Sequence, residues 1–311
     1  MENQTTVSKF YLSGLSNLPK AQLPLFLLFL FFYLMTFSGN LLILYLIFTD
    51  GHLHTPMYFF LGNLACLDLC SSSTTVPRML FDLLTKRRLI SVAECITQFF
   101  FFLFFAISEV FLLAMMSYDR YIAVCHPLHY MQIMNQKVCV QLASGAGFLG
   151  LGCSLVQTLC LLRLTFCGPN ILQSFFCDLP QLLQLSCTDT FINIMAIFLV
   201  GGLLGLATLV MTFFPYVSIF TTVFKIPAKD KRLKVFSTCT SHLTVVFIFY
   251  GTLVYNYFRP DTSYRFAQDR LVSVFYTVII PLLNPLIYSL RNQELKSALK
   301  RAVRRIFVAR R

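Results

Sequence analysis

Long apolar stretches separated by short charged segments form the dominant pattern of the chain. A membrane helix needs about 20 mostly apolar residues, because each residue rises about 1.5 Å and the hydrocarbon core is about 30 Å thick. Such stretches lie at about residues 23–49, 56–79, 93–121, 138–162, 192–225, 234–258 and 270–290. The pattern therefore predicts an all-α membrane protein in which residues 23–290 form a seven-transmembrane helix bundle.

The two ends of the chain differ from the bundle and from each other. Residues 1–22 are polar and lack the features of a cleavable signal peptide, so we expect an N-terminal segment before an uncleaved first span. Residues 291–311 combine an apolar helical face with many basic side chains. This predicts a short C-terminal amphipathic helix on the anionic inner leaflet, followed by a tail. The apolar face consists of Leu295, Leu299, Ala302, Val303 and Ile306.

Composition and charge add an orientation to this picture. Of 311 residues, 57% are hydrophobic and 12% are charged, which argues against a soluble enzyme. The net charge is +12, with eight basic residues in 291–311 and five in 225–234. The positive-inside rule places both segments in the cytoplasm. We therefore expect a multi-pass plasma-membrane protein with an extracellular N-terminus and a cytoplasmic C-terminus.

Two features of the outer side bear on that orientation. Asn3 begins an Asn-Gln-Thr sequon, which is used only on the lumenal side, and its position predicts glycosylation there. The basic run 86–88 falls in the first extracellular loop and weakens the charge bias without reversing it. We interpret this run as part of a solvated loop.

The cysteines divide by compartment. Of 11 cysteines, seven fall in spans or cytoplasmic loops, where they act as small apolar or reduced side chains. The other four, on the oxidising side, are Cys95, Cys167, Cys177 and Cys187. Four cysteines allow three pairings, and the sequence alone does not choose among them. Two disulfides would hold the long loop 163–189 over the mouth of the bundle.

An intramembrane polar pair, Asp68 and Glu109, lies in the middle of the second and third spans. Ionisable groups in hydrocarbon cost several kcal/mol, so they face the bundle interior and tend to be functional. Two acids at similar depth bind a cation or share a proton. The alternative is a neutral hydrogen-bonded pair that only locks helices together.

Polar motifs also mark the cytoplasmic ends of three spans. Asp119-Arg120-Tyr121 ends the third span, where it forms either an interfacial ion pair or a latch that a partner opens. His242 lies alone in the sixth span, and a lone His is more often structural than a metal ligand. The seventh span contains Pro281 and then Asn284-Pro285-Leu286-Ile287-Tyr288. Because proline removes a backbone hydrogen bond and bends a helix, we expect a two-state element there, with Asn284 and Tyr288 satisfying the freed groups.

Other classes of function find little support in the sequence. It contains no P-loop, dinucleotide-binding turn, His-Glu-x-x-His or Gly-x-Ser-x-Gly motif, so we predict no enzyme, no cofactor and no metal site. A transporter would show internal inverted repeats, which are absent. The basic net charge of this chain is explained by its membrane topology, so we predict no nucleic-acid partner.

Four strings in order along the chain resemble one family. They are LHTPMYFFL at 53–61, MSYDRYIAVCHPL at 116–128, FSTCTSHL at 236–243 and PLLNPLIYSLRN at 281–292. Together with seven spans they resemble the olfactory (odorant) receptors, a family of rhodopsin-like G-protein-coupled receptors, and the loop pattern is similar to the tetrapod-type branch. The resemblance runs from about residue 3 to about residue 300.

The resemblance implies a disulfide pairing, Cys95–Cys177 and Cys167–Cys187. Three positions depart from the family pattern, namely Gly62 and Ser117, where Ser and Ala are usual, and Pro215, where Ser usually precedes Tyr216. Pro215 would bend the fifth span beside a position implicated in activation.

The resemblance also implies a ligand site for a small hydrophobic volatile in the outer half of the bundle. Helical spacing back from Arg120 places Leu103, Ala106, Ile107 and Val110 on inward rows of the third span. By similarity, the other lining residues are Val200, Leu204, Leu253, Tyr257, Val274 and Thr277. Among them, Tyr257 and Thr277 are the candidate hydrogen-bonding groups.

Signalling is implied in the same way. The sixth span would move outward and free Arg120, and Tyr216, His242 and Tyr288 would regroup around it. A heterotrimeric stimulatory olfactory-type G protein would bind the opened cleft and raise cAMP. An alternative is that the protein is a receptor expressed outside the nose, where it senses a metabolite such as a fatty acid.

Overall fold

A computed structural model describes residues 7–16, 18–85, 87–167, 170–225, 227, 229–257 and 266–309. Asn3 lies outside the described residues. In these ranges, seven long helical segments form a bundle. They are α1 (Pro19–Thr49), α2 (Pro56–Thr85), α3 (Val92–Cys125), α5 (Gln136–Leu162), span five (Phe191–Phe224), α9 (Lys229–Tyr257) and span seven (Phe266–Arg291).

Shorter helices connect or follow these segments. They are a 3₁₀ turn (Gly51–Leu53), α4 (Tyr130–Ile133), α6 (Leu179–Gln184) and, after the bundle, α12 (Gln293–Ala309). Five of the long segments are apolar and long enough by themselves to cross a membrane, and α9 has a shorter apolar stretch, Cys239–Tyr255. Charged Arg78 and Asp82, besides Asp68, make α2 less apolar than the others.

Spans five and seven each contain a π-helical segment. Span five consists of α7 (Phe191–Ala196), a π-helix (Ile197–Leu204) and α8 (Gly205–Phe224). Span seven consists of α10 (Phe266–Val274), a π-helix (Phe275–Ile279) and α11 (Ile280–Arg291). A π-helix bonds residue i to i+5 instead of i+4, so it changes which side chains share a helix face.

A three-stranded sheet covers one end of the bundle, which we call the sheet end. Its central strand β1 (Lys9–Leu12) pairs antiparallel with β2 (Leu89–Ser91) and parallel with β3 (Ile171–Leu172). Phe10 and Leu12 of β1 are fully buried beneath it. The apolar pattern does not predict this sheet, because its strands are only two to four residues long.

Local signals fix where two of the helices begin. At the start of α3, the Ser91 hydroxyl accepts the Glu94 amide at 3.2 Å while the Glu94 carboxylate accepts the Ser91 amide at 2.9 Å. This reciprocal capping box satisfies two amides that a helix terminus leaves free. At the start of α5, the Asn135 side chain accepts the Val138 amide at 3.1 Å.

Close packing joins α3 to α5. A Cβ atom placed on Gly150 would overlap the Ser108 hydroxyl, so the two helices approach too closely there for any larger residue. The buried face of α5 repeats at helical spacing. It consists of Cys139, Ala146, Gly150, Cys153, Ser154, Gln157 and Leu161.

The opposite end of the bundle, the α12 end, is held by polar contacts. The Asp50 carboxylate accepts a hydrogen bond from Arg301 Nε at 2.7 Å, and Arg305 donates to the Thr49 carbonyl at 3.2 Å. The Arg301 guanidinium holds the pKa of Asp50 well below its usual range. Of the apolar face predicted for this helix, Leu295 is buried against the bundle, whereas Leu299 is exposed.

Candidate functional site

A cavity of about 440 Å³ lies in the half of the bundle nearer the sheet end. Its walls come from α3, α5, span five and α9, with Tyr276 of span seven on one side. Seven of the predicted ligand-site residues line it together. They are Leu103, Ala106, Ile107, Val110, Val200, Leu204 and Leu253.

Two predicted positions of span seven do not line the cavity. Val274 packs in an apolar cluster with Phe29 and Val76, and the buried Thr277 hydroxyl donates to the Ser273 carbonyl at 2.7 Å. Val274 and Thr277 therefore do not line this cavity; the π-helix at Phe275–Ile279 changes which side chains share a face, and Tyr276 lines the cavity instead. The side chain of Tyr257 lies outside the described part of the structure.

Several residues that line the cavity were not among the predicted ligand-site residues. Helical spacing from Arg120 alone would have reached Phe102 and Phe99 of α3, which lie one and two turns nearer the sheet end than Ala106. Gln157 could have been recognised because it is a polar residue in a span that contains no charged residue. The other missed lining residues include Ser71, Leu179, Thr208, Phe249, Tyr250 and Tyr276.

The loop after β3 closes the cavity toward the sheet end. Disulfides join Cys95 to Cys177 and Cys167 to Cys187. The Cys177 amide also donates to the Gln98 side chain of α3 at 3.0 Å. These bonds hold the following residue pair in place, so that Leu179 lines the cavity and the Asp178 carboxylate accepts the Tyr276 hydroxyl at 3.1 Å.

Asp68 and Glu109 meet below the cavity, and a third side chain joins them. The Asn284 amide donates to both Asp68 oxygens, at 2.9 and 3.1 Å, and to Glu109 Oε1 at 3.2 Å. All three side chains are buried. One amide therefore links α2, α3 and span seven, and Glu109 also reaches the cavity wall.

The proline-containing part of span seven is supported by α1. Pro285 has no amide hydrogen, so the Pro281 carbonyl loses its helical partner. Asn40 of α1 donates to that carbonyl at 3.3 Å, which corrects the expectation that Asn284 and Tyr288 serve the freed groups. Gly39 packs against the Pro285 ring so closely that an added Cβ would lie 3.3 Å from it.

Asp119 and Arg120 do not form a salt bridge among the described residues. The Asp119 carboxylate instead accepts the Tyr130 hydroxyl of α4 at 2.8 Å. Burial raises the pKa of the Tyr130 phenol above its usual range, so this group donates as a neutral hydroxyl. Among the described residues, Asp119 and Arg120 therefore do not form the ion pair that was one of the two alternatives.

The groups predicted to surround Arg120 lie near it. The Tyr216 hydroxyl and His242 Nδ1 are 2.8 Å apart, with their rings stacked at 5.9 Å. Arg120 lies within electrostatic range of Tyr216, His242 and Tyr288. Within the described residues, the buried Tyr288 hydroxyl has no hydrogen-bond partner. Tyr121 packs beside this group, and Pro215 lies within α8, which remains helical through it.

Seven long helical segments form a bundle, and an amphipathic helix follows the last of them, as in the rhodopsin fold. The structure matches squid rhodopsin with a TM-score of 0.67 over 94% of this chain and 88% of that chain, at 17% sequence identity. That likeness concerns the fold alone.

Sequence comparisons define the family within this fold. The olfactory receptor family model matches residues 29–306. The chain is 47% identical over 302 residues to olfactory receptor 5AR1 of Mus musculus, with 97% of each chain covered. It is 48% identical over 303 residues to olfactory receptor 5B12 of Homo sapiens, with 97% of this chain and 96% of that protein covered. The chain belongs to the olfactory receptor family.

Proposed function

We propose that the protein is an odorant receptor that binds small hydrophobic volatile molecules in the cavity between α3, α5, span five and α9. The observation that carries this proposal is the mostly apolar cavity of about 440 Å³ in a chain of this family. An apolar wall binds a ligand by removing its surface from water. A volatile of about 10 heavy atoms then binds with micromolar or weaker affinity.

The receptor is oriented in the plasma membrane with the sheet end outside. Support comes from the charge bias of the loops and from the two disulfides at the sheet end, because disulfides persist in oxidising compartments. A sequon at Asn3 on that side would be glycosylated. In this orientation the cavity lies in the outer half of the bundle, and α12 lies along the inner leaflet.

Ligand binding shifts the receptor toward an active arrangement in which the α12 end of α9 moves outward. A ligand does this only if it binds the active arrangement more tightly. Arg120 lacks a salt bridge among the described residues, and Tyr288 lacks a hydrogen-bond partner there. In the active arrangement Tyr216, His242 and Tyr288 regroup around Arg120, and the cleft accepts a stimulatory olfactory-type G protein.

Asp68, Glu109 and Asn284 act as a lock between α2, α3 and span seven. The three hydrogen bonds from one amide support this interpretation over a cation site or a shared proton. Asn284 precedes Pro285, so the lock joins the bend of span seven directly to the floor of the cavity. A ligand that displaces Glu109 would thereby act on span seven next to Pro285.

The test is cAMP in cultured cells that express the chain with a stimulatory olfactory-type G protein, across a panel of volatile odorants. We expect a dose-dependent rise with some volatiles that is absent in cells lacking the receptor. Surface display is measured in parallel by an N-terminal tag. Silence across the panel at normal surface display would count against the proposal.

A metabolite-sensing role for a fatty acid is less well supported. A carboxylate ligand needs a cation, and no Lys, Arg or His is among the described residues that line the cavity. Arg259 and Arg265 lie outside the described residues.

A further inference from the structure

Gln157 occupies the buried face of α5 at the level of the cavity. It lies seven residues, or two helical turns, from Gly150, so the two residues share one face. Gly150 packs directly on Ser108 of α3, which points that face into the bundle. Gln157 therefore lines the cavity, and its side chain is only 4% exposed.

The carbonyl oxygen of the Gln157 side chain has no hydrogen-bond partner among the described residues. A buried acceptor without a partner costs free energy, because it has lost its bond to water and gained nothing. Buried polar groups in proteins are nearly always paired, so an unpaired one at a cavity wall is explained by a partner that comes and goes.

Several other polar groups on the same wall already have partners. The Thr208 hydroxyl donates to the Leu204 carbonyl at 2.9 Å, and the Tyr276 hydroxyl donates to Asp178 at 3.1 Å. Glu109 accepts from Asn284. The hydroxyl hydrogens of Thr208 and Tyr276 are therefore already bonded, so a ligand carbonyl gains little from these two donors.

We propose that Gln157 recognises the polar group of the ligand, and that the ligand is a neutral, oxygen-bearing volatile such as an alcohol or aldehyde. This rests on the proposed function of the cavity as the odorant site. A ligand hydroxyl donates to the amide oxygen, and a ligand carbonyl accepts from the amide nitrogen. A hydrocarbon leaves Gln157 unpaired, whereas a carboxylate meets Glu109 on a wall without a described cation.

The experiment measures binding directly, by thermal unfolding of the purified receptor in lipid nanodiscs. The probes share one carbon skeleton and differ in their polar group. They are octane, 1-octanol, octanal, octanoic acid and octylamine, each titrated to its solubility limit. For the wild-type receptor we expect 1-octanol and octanal to bind at least 3-fold more tightly than octane, because a neutral hydrogen bond contributes about that factor or more.

A matched pair of substitutions assigns the effect to one residue. Gln157→Met keeps the length of the side chain and removes the amide, and we expect it to weaken 1-octanol and octanal about 3- to 10-fold while octane is unchanged. Gln181→Met is the control, because its side-chain oxygen is also unpartnered but it does not line the cavity. It should leave the affinity of every probe unchanged.

The outcomes separate this inference from the function on which it rests. If octane binds as tightly as 1-octanol, or if Gln157→Met changes nothing, the role of Gln157 is refuted while the cavity remains a volatile-binding site. Tightest binding of octanoic acid or octylamine would refute the neutral ligand class. If no probe stabilises the wild-type receptor, the proposed cavity site fails and the inference fails with it. The comparison of octane with 1-octanol needs no variant. It therefore tests recognition of a neutral polar group even if Gln157→Met does not fold.

Discussion

The half of the bundle nearer the sheet end contains an apolar cavity of about 440 Å³. The middle of the bundle is instead held by buried hydrogen bonds, and the α12 end by a partly exposed ion pair. At this end the bundle is covered by a sheet and by a loop that two disulfides fasten. Below the cavity one Asn284 amide joins three helices through hydrogen bonds.

This difference indicates how ligand binding and switching are divided. Apolar contacts are non-directional, so the cavity tolerates many ligand shapes and gains affinity from buried area. Buried hydrogen bonds are directional and have few alternatives, so they suit an element with two discrete arrangements. Glu109 belongs to both halves, because it lines the cavity and accepts from Asn284.

The largest expected effect is in the polar half. Asn284→Ala removes the donor shared by Asp68 and Glu109 and leaves both buried carboxyl groups without it. We expect a loss of about 3 kcal/mol or more in the free energy of unfolding and little surface display. Surface labelling and thermal unfolding measure this. Ser289→Ala is the control, because that hydroxyl bonds only carbonyls of its own helix; an Asn284→Ala receptor as stable as this control would contradict the lock.

At the sheet end, removal of disulfides should have a graded effect. The Cys95–Cys177 bond closes 82 residues and the Cys167–Cys187 bond closes 20. Loop-closure entropy then predicts a loss of about 4 kcal/mol for Cys95→Ser and about 3 kcal/mol for Cys167→Ser. Thermal unfolding of each variant tests the order. Equal losses, or a larger loss for Cys167→Ser, would show that loop closure does not dominate at this end.

Filling the cavity should affect ligand potency and spare folding. Leu204 lines the cavity, whereas the neighbouring Leu203 is 62% exposed and does not. We expect Leu204→Trp to lower the potency of any activating volatile about 10-fold by excluding it, whereas Leu203→Trp has little effect. Dose–response curves at matched surface display provide the comparison. Equal curves for the two tryptophan variants would place the ligand outside this cavity.

The smallest effect is expected at α12, where the contact is partly exposed. The pKa of Asp50 is lowered in the folded protein, so its contribution to stability is present above the unfolded pKa near about 4 and is lost only as pH falls toward the lower, folded value. Docking of α12 should therefore be constant from pH 5.5 to 7.5, and Asp50→Asn should weaken it. Hydrogen exchange of α12, corrected for intrinsic rates, measures docking. If exchange of α12 in the wild-type protein were as fast at pH 5.5 as in Asp50→Asn, the expected constancy of docking would be contradicted.

Much of the fold could be predicted from the sequence, because helix-length apolar stretches are a strong signal. The cavity residues of α3 followed from regular spacing, and that helix has no interruption. In span seven, Val274 and Thr277 were predicted from the family resemblance, and they do not line the cavity. A π-helix at Phe275–Ile279 changes which side chains face the cavity, and it leaves no clear signature in the sequence.

The polar contacts were harder to predict, because they depend on distances between residues far apart in the chain. Asp68 and Glu109 were recognised as a pair from their depth alone, but the amide between them comes from a third helix. Asp119 and Arg120 are adjacent in sequence, yet Asp119 bonds Tyr130. Sequence proximity therefore suggested an ion pair that the helix geometry does not form.

The most direct test of the link between cavity and switch is volatile-driven cAMP in cells that express Arg120→Ala beside wild type at equal surface density. If ligand binding acts through the groups around Arg120, wild type should respond in a dose-dependent manner and Arg120→Ala should be silent. A response of Arg120→Ala equal in potency and amplitude to that of wild type would contradict the proposed switch.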